Sequence, residues 1–267
     1  MNQAFLTALF LVVLVRSAVA ANFATEMMEA TFKLDTGGEN VSTCILVRRE
    51  APDAAYYLVS TAHTFHDIAA ETVLLVLRKP KPDGSYERHD YTLPLRRGDQ
   101  PLWVGHEKHD VAVLRISEEL PVAVAALPAS AFANEARIKA SALHLCSQLF
   151  VLGYPMRAEA DTSGLPLARH GICSSSPRLP VATHPVFLAA CNLFPGDSGG
   201  PVFVADSDDH PLVVGIVSNH RFHDVAMKSV YQEHSIRTPL GIVEILHAQH
   251  IRDTVDAAAR QSEAASK

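Results

Sequence analysis

A serine stands among glycines in the run Gly196-Asp197-Ser198-Gly199-Gly200-Pro201. Glycine on both sides lets the backbone turn sharply and approach a reactant without side-chain obstruction. A hydroxyl held in such a turn could attack a carbonyl carbon, while the amide N–H groups of Gly196 and Ser198 point into one small pocket to receive the developing oxyanion. Acyl transfer of this kind also needs a base for the hydroxyl proton and a group that orients the base. The sequence holds 14 histidines, so context rather than residue type must single out the base. His63 ends the run Tyr57-Leu58-Val59-Ser60-Thr61-Ala62-His63, where a buried strand closes on small residues that leave room for an imidazole at a cleft. Asp110 opens Asp110-Val111-Ala112-Val113-Leu114. An acid heading an apolar strand is drawn into partial burial and needs a partner there; a histidine Nδ1–H supplies one and fixes the tautomer that leaves Nε2 free as base. Asp67, four residues after His63, ranks below Asp110, because nearness in sequence does not place it on the correct side of the ring.

Many short strands must position these groups. Residues 41–47, 55–61, 72–77, 91–95 and 111–116 are rich in β-branched or aromatic side chains, and a Pro/Asp/Gly-bearing turn falls at 79–85. Residues 120–142 are alanine-rich with few strand signals and read as a connection. The same texture returns in 149–153, 170–174, 186–190, 201–204 and 212–218. Regularly spaced short strands indicate an all-β sandwich or barrel pair. Ile242, Ile245 and Leu246 recur at helical spacing with Ile251 beyond, which predicts a C-terminal helix over about 241–259.

The order His63, Asp110, Ser198, with separations of 47 and 88 residues, resembles the chymotrypsin-fold, trypsin-like serine proteases. So do Ser60-Thr61-Ala62-His63, Asp110-Val111-Ala112-Val113-Leu114 and the glycine-flanked serine run. Val214-Gly215-Ile216-Val217-Ser218 is similar to the strand that pairs with substrate backbone in that family. The resemblance covers about residues 35–245. It implies two six-stranded antiparallel β-barrels, the first over about 30–120 and the second over about 143–240, with the active site between them. It further implies a serine endopeptidase acting on polypeptides through an acyl-enzyme on Ser198, without a cofactor. A binding protein on the same fold with its chemistry lost is the competing reading; the presence of all three residues favours the enzyme.

The chain departs from the animal members in two ways. Thr64, not cysteine, follows His63, and no Arg or Lys precedes an Ile-Val-Gly-Gly sequence that would be cleaved to give an activating amine. In those enzymes the amine pairs with the acid before the nucleophile, which is Asp197 here; this chain keeps the acid without an evident partner. The bacterial-type trypsin-like peptidases that mature by leader removal alone are the nearer pattern. The position matching the floor of the primary specificity pocket is Asn192, which cannot supply the charge that selects Arg or Lys. Ser218, Asn219 and His220 fall where the pocket wall and the substrate strand would lie.

Composition agrees with one exported catalytic domain over 21–267. The apolar fraction is 48%, ample for a core, and the formal charge is −6 with both signs spread along the chain. Without a basic block, neither nucleic acid nor an anionic membrane surface has an electrostatic foothold. Residues 5–15 form an apolar run of 11 residues before Ala18-Val19-Ala20, the pattern of a signal peptide cleaved near Ala20. That run is too short to span ~30 Å of hydrocarbon as a helix, so secretion or periplasmic export without stable membrane insertion is expected. Four cysteines, Cys44, Cys146, Cys173 and Cys191, could pair in such a compartment, Cys173 with either Cys191 or Cys146. Histidines three apart occur at His63/His66, His106/His109, His220/His223 and His247/His250. No carboxylate or cysteine cluster accompanies them, so they read as solvated and no metal site is expected.

Overall fold

The computed structural model of the chain describes residues 22–37, 40–49, 55–141, 143–228 and 233–265, so the expected leader lies outside the described residues. Strands of the first half are β1 (Thr31–Asp35), β2 (Val41–Arg48), β3 (Tyr56–Ser60), β4 (Thr72–Pro80), β5 (Tyr86–Pro94), β6 (Arg96–Arg97), β7 (Gln100–Pro101), β8 (Trp103–Gly105), β9 (Ala112–Ile116) and β10 (Leu127–Pro128). Those of the second are β11 (Gln148–Gly153), β12 (Leu167–Cys173), β13 (Val186–Ala190), β14 (Pro201–Ala205), β15 (Pro211–Lys228) and β16 (Glu233–His247). The α-helices are α1 (Phe23–Ala30), α2 (Ala62–Asp67), α3 (Glu135–Ala140) and α4 (Ala248–Ala265).

The all-β class with a C-terminal helix is as the sequence predicts. The second half closes into a six-stranded barrel in the order β11-β12-β13-β16-β15-β14. The first half differs in detail from a six-stranded barrel. It is an eight-stranded sheet ordered β5-β4-β1-β2-β3-β9-β8, with β10 paired to β2, and no ladder joins β5 to β8 among the described residues. The reason lies in β5, whose Glu87, Arg88, His89 and Asp90 make it a charged, solvated edge with Leu93 as its buried anchor.

Alternation along the central strands builds two cores. Cys44 and Leu46 of β2, Leu58 of β3 and Leu114 of β9 face the core of the first half with Phe32, Phe65 and Leu75. Their neighbours Ile45, Val47, Tyr57, Val59 and Val113 face a larger core shared with the barrel and α4. Both faces of these strands are therefore covered, which is why their sequences read as nearly unbroken apolar runs. The fixed strand ends carry the site residues.

Two expectations need correction. The helix spans 248–265, not 241–259, because residues 241–247 complete β16 and pair with both β13 and β15. Ile242, Ile245 and Leu246 fit a helical stripe and an alternating strand equally; the β-branched neighbours and two partner strands decide for the strand. Helix α4 instead buries Ala248, Ile251, Val255, Ala258 and Ala259, a stripe at i, i+3, i+7 spacing. All four cysteines are free thiols, Cys146 exposed and the other three buried, so neither pairing weighed for Cys173 is formed. No helix among the described residues is long and apolar enough to cross a membrane.

Candidate active site

His63 does not sit at a strand terminus but in the first turn of α2, immediately after β3. Asp110 reaches it from the loop between β8 and β9. Its Oδ2 accepts a hydrogen bond from His63 Nδ1 at 2.8 Å and its Oδ1 accepts one from the His63 backbone N–H at 3.0 Å. Two contacts from one carboxylate to one residue fix both the ring orientation and the tautomer, with the proton on Nδ1. A third comes from Ser218, whose Oγ donates to Asp110 Oδ2 at 3.0 Å. Burial acts to raise the Asp110 pKa, but the hydrogen bonds from His63 and Ser218 outweigh it and hold the carboxyl below its ordinary value. The hydrogen bond to Asp110, opposed by burial, raises His63 above the usual imidazole range. Asp67 contributes only a weaker, more distant charge to His63.

Ser218 holds its place through a β-bulge. β15 pairs with β16 through Val217 and then Asn219, so Ser218 is skipped by the ladder. A bulged residue is free to aim elsewhere, and here it turns its hydroxyl to Asp110. Sequence reading assigns Ser218 to substrate binding alone; its place in the hydrogen-bond network is visible only once the bulge is known.

Ser198 lies on the loop entering β14. The loop is pinned to the first half by Thr43, whose N–H donates to Ser198 O at 3.0 Å and whose Oγ1 donates to Gly196 O at 2.8 Å. Gly196 and Gly199 have φ of +102° and +82°, and a Cβ at Gly199 would collide with Thr43 O and Ser60 Oγ. Gly199 N–H donates to Val217 O at 2.9 Å, and Gly200 N–H to Asp197 O at 2.8 Å. Neither Gly196 N–H nor Ser198 N–H is engaged in a backbone hydrogen bond among the described residues, in keeping with a pair of donors held for an incoming oxygen. Ser198 Oγ makes no hydrogen bond to His63 among the described residues; His63 Nε2 instead faces Thr61 Oγ1 at 3.3 Å. Catalytic contacts of this kind commonly tighten only with substrate in place.

Asp197 has a partner the sequence reading missed. It is fully buried and receives both prongs of Arg169, Nη1 to Oδ2 at 2.6 Å and Nη2 to Oδ1 at 2.5 Å. Phe194 N–H adds a third donor to Oδ2 at 2.8 Å. Arg169 is on β12, where residues 167, 169, 171 and 173 point inward by strand alternation. The sequence-predicted strand begins at 170, one residue past it; an arginine on the inward face of that strand was the available signal. Gly153 on β11 makes the pair possible, since a Cβ there would collide with Asp197 Oδ1 and crowd Arg169 Nη2 at 3.0 Å.

The residues expected to bind substrate are scattered in environment. Asn192 is exposed after β13, although the floor of an enclosed pocket would be covered. Asn219 is exposed, and its Oδ1 accepts from His220 N–H at 2.9 Å. His220 is half-buried with Nε2 lacking a hydrogen-bond partner; burial first, then the neighbouring His63, lowers its pKa against the pull of Asp197.

Comparison with known proteins adds one finding. Residues 42–216 match the family model described as the trypsin-like peptidase domain, a span that includes His63, Asp110, Arg169, Asp197 and Ser198. No curated protein matches the chain.

Proposed function

We propose, from the premise that this chain belongs to the trypsin-like peptidase family, that it is an active serine endopeptidase. The observation that carries the reading is the network His63 Nδ1–Asp110 Oδ2 at 2.8 Å and Ser218 Oγ–Asp110 Oδ2 at 3.0 Å. When the ring is neutral, this network holds the proton on Nδ1 and the lone pair on Nε2, the tautomer a general base requires. Ser198 Oγ attacks the scissile carbonyl carbon and its proton passes to His63 Nε2. The oxyanion is received by the amides of Gly196 and Ser198. Collapse breaks the C–N bond, His63 returns the proton to the leaving amine, and water repeats the sequence on the acyl-enzyme. The polypeptide substrate would lie extended beside the bulged stretch of β15 at Ser218. No carboxylate stands at the position of Asn192, so no preference for Arg or Lys is part of the reading.

Arg169 supports a further part of the proposal. By neutralising Asp197 from within the barrel, it takes the place of the cleavage-generated amine of the animal enzymes, so the nucleophile loop is set without proteolytic activation. Export with leader cleavage near Ala20 belongs to the same proposal and rests on the apolar run over 5–15.

A fluorophosphonate probe tests the enzyme reading. Labelling of the folded protein at Ser198, lost in Ser198→Ala, is expected. Folded protein that never labels would support the binding-module reading instead.

A further inference from the structure

We infer that His106, His109 and His250 form a binding site for one divalent transition-metal cation of the zinc type. The first two stand on the β8–β9 connection, and the third is in the opening turn of α4, more than a hundred residues away in sequence. One ring nitrogen from each lies within 4.8 Å of the others. The ring centroids of His109 and His250 are 3.9 Å apart, those of His106 and His109 4.6 Å, and those of His106 and His250 5.2 Å.

The second, independent observation is His250 itself. It is 5% exposed, yet neither Nδ1 nor Nε2 has a hydrogen-bond partner among the described residues. A buried imidazole has at least one lone pair and one N–H to satisfy, and leaving both orphaned is costly. A cation placed between the three rings would satisfy the lone pair. The expectation that these histidines are solvated therefore fails for His250, whose role the sequence spacing with His247 did not disclose.

The surroundings suit a cation. Burial, reinforced by the two neighbouring imidazoles, pushes His250 down to about 4. Burial likewise lowers His106 and His109, Lys108 adding to the effect at both, while Asp253 and Glu107 oppose it at His106. Asp253, one turn along α4, and Glu107 supply compensating negative charge; Lys108 is the opposing cation. One bond competes: Lys108 N–H donates to His106 Nδ1 at 3.1 Å, and capture through that nitrogen would displace it. Three imidazoles without a carboxylate ligand favour zinc, cobalt, nickel or copper over magnesium or calcium. Tetrahedral geometry with bonds of about 2.0–2.1 Å needs the ring nitrogens drawn closer together, which small rotations of the half-buried His106 and His109 provide. The bound ion would clip α4 to the loop that ends in Asp110.

Calorimetry with zinc chloride on the full chain tests this. One saturable ion per chain is expected, retained in His63→Ala and lost in the His106→Ala/His109→Ala double variant. Zinc at 100 times Kd should raise Tm by about 5–10 °C, and cobalt should give the visible absorption of tetrahedral nitrogen coordination. His106→Asn with His109→Asn serves if the alanine pair fails to fold by circular dichroism. Absence of saturable binding, or binding that survives in the folded double variant, would overturn the site. So would binding lost in His63→Ala, which would place the ion at the candidate active site.

Discussion

Arg169 and Asp197 meet through two parallel hydrogen bonds inside the barrel, directly beneath the loop that carries Ser198. The carboxylate is wholly enclosed and its charge is met by Arg169 of β12, two strands round the barrel from β14, rather than by a chain terminus. A planar guanidinium suits this better than an ammonium, because it meets both oxygens in one fixed geometry.

Arg169→Ala should strand a buried carboxylate, destabilising the fold by about 3–5 kcal/mol. Denaturant unfolding measures that loss. Fluorophosphonate labelling of the fraction still folded should also fall, because the loop loses its internal support. Arg169→Lys should recover stability in part and labelling less, since one ammonium cannot span both oxygens.

The shape of the pH–rate profile follows from His63. Its pKa is raised by Asp110, so more of the ring is protonated at a given pH and less is available as base. The acid limb of kcat/KM should therefore lie above the ordinary imidazole value of about 6.5. In Asp110→Asn the raising contact is gone while burial still acts downward, so the limb should move to lower pH and kcat should drop about 10,000-fold. An acid limb unmoved by this change would show that Asp110 does not set the ionisation of His63.

Gly153→Ala tests whether the strand was kept bare for the ion pair. The added methyl would force Asp197 or Arg169 aside, costing about 1–3 kcal/mol as overpacking. Alanine at the exposed Gly84, where nothing lies within 4 Å of the new Cβ but φ is +84°, separates simple backbone strain from crowding. Only the Gly153 variant should lose probe labelling at a temperature where both are folded.

Arg78 is a stability prediction away from the chemistry. It is buried, and its guanidinium donates to the carbonyls of Met28, Glu29, Thr31 and Gly164 and to Tyr154 Oη. Two of those carbonyls lie in the last turn of α1, where Met28 O also accepts from the Thr31 N–H that caps the helix. Arg78→Met keeps the packing on Phe32 but removes one donor from each acceptor; Met28 O keeps Thr31 N–H and Gly164 O keeps Tyr154 Oη–H at 2.9 Å, while each acceptor left buried without a donor costs ~1–3 kcal/mol. A Tm lower by roughly 6–12 °C is expected from a net loss of about 3 kcal/mol.

His63, Asp110 and Ser198 stand out in the sequence because each borders an apolar run that becomes a strand, His63 after β3, Asp110 before β9 and Ser198 before β14. Most of the longer strands were legible for the same reason, but β1, β8 and β16 were not: β16 carries a stripe that also fits a helix, and in β1 Lys33 breaks the apolar pattern, its charge met by Glu159 at 2.7 Å, a partner 126 residues distant. Arg169 and Ser218 were hidden by their dependence on register, the one on which face of β12 points inward and the other on a bulge. Long-range pairing decides both, and a local window carries no trace of it. The His106/His109/His250 cluster was hidden likewise, since the docking of α4 creates it.

Thr43 belongs to the first sheet, yet it grips the loop that belongs to the barrel. The Ser198 loop is thus a seam between the two halves, and they cannot part without releasing it. Amide hydrogen exchange at Thr43 becomes a reporter of that parting. If its exchange is as slow as at the central strands, the loop is lost only in global unfolding; if faster, the halves breathe while each stays folded.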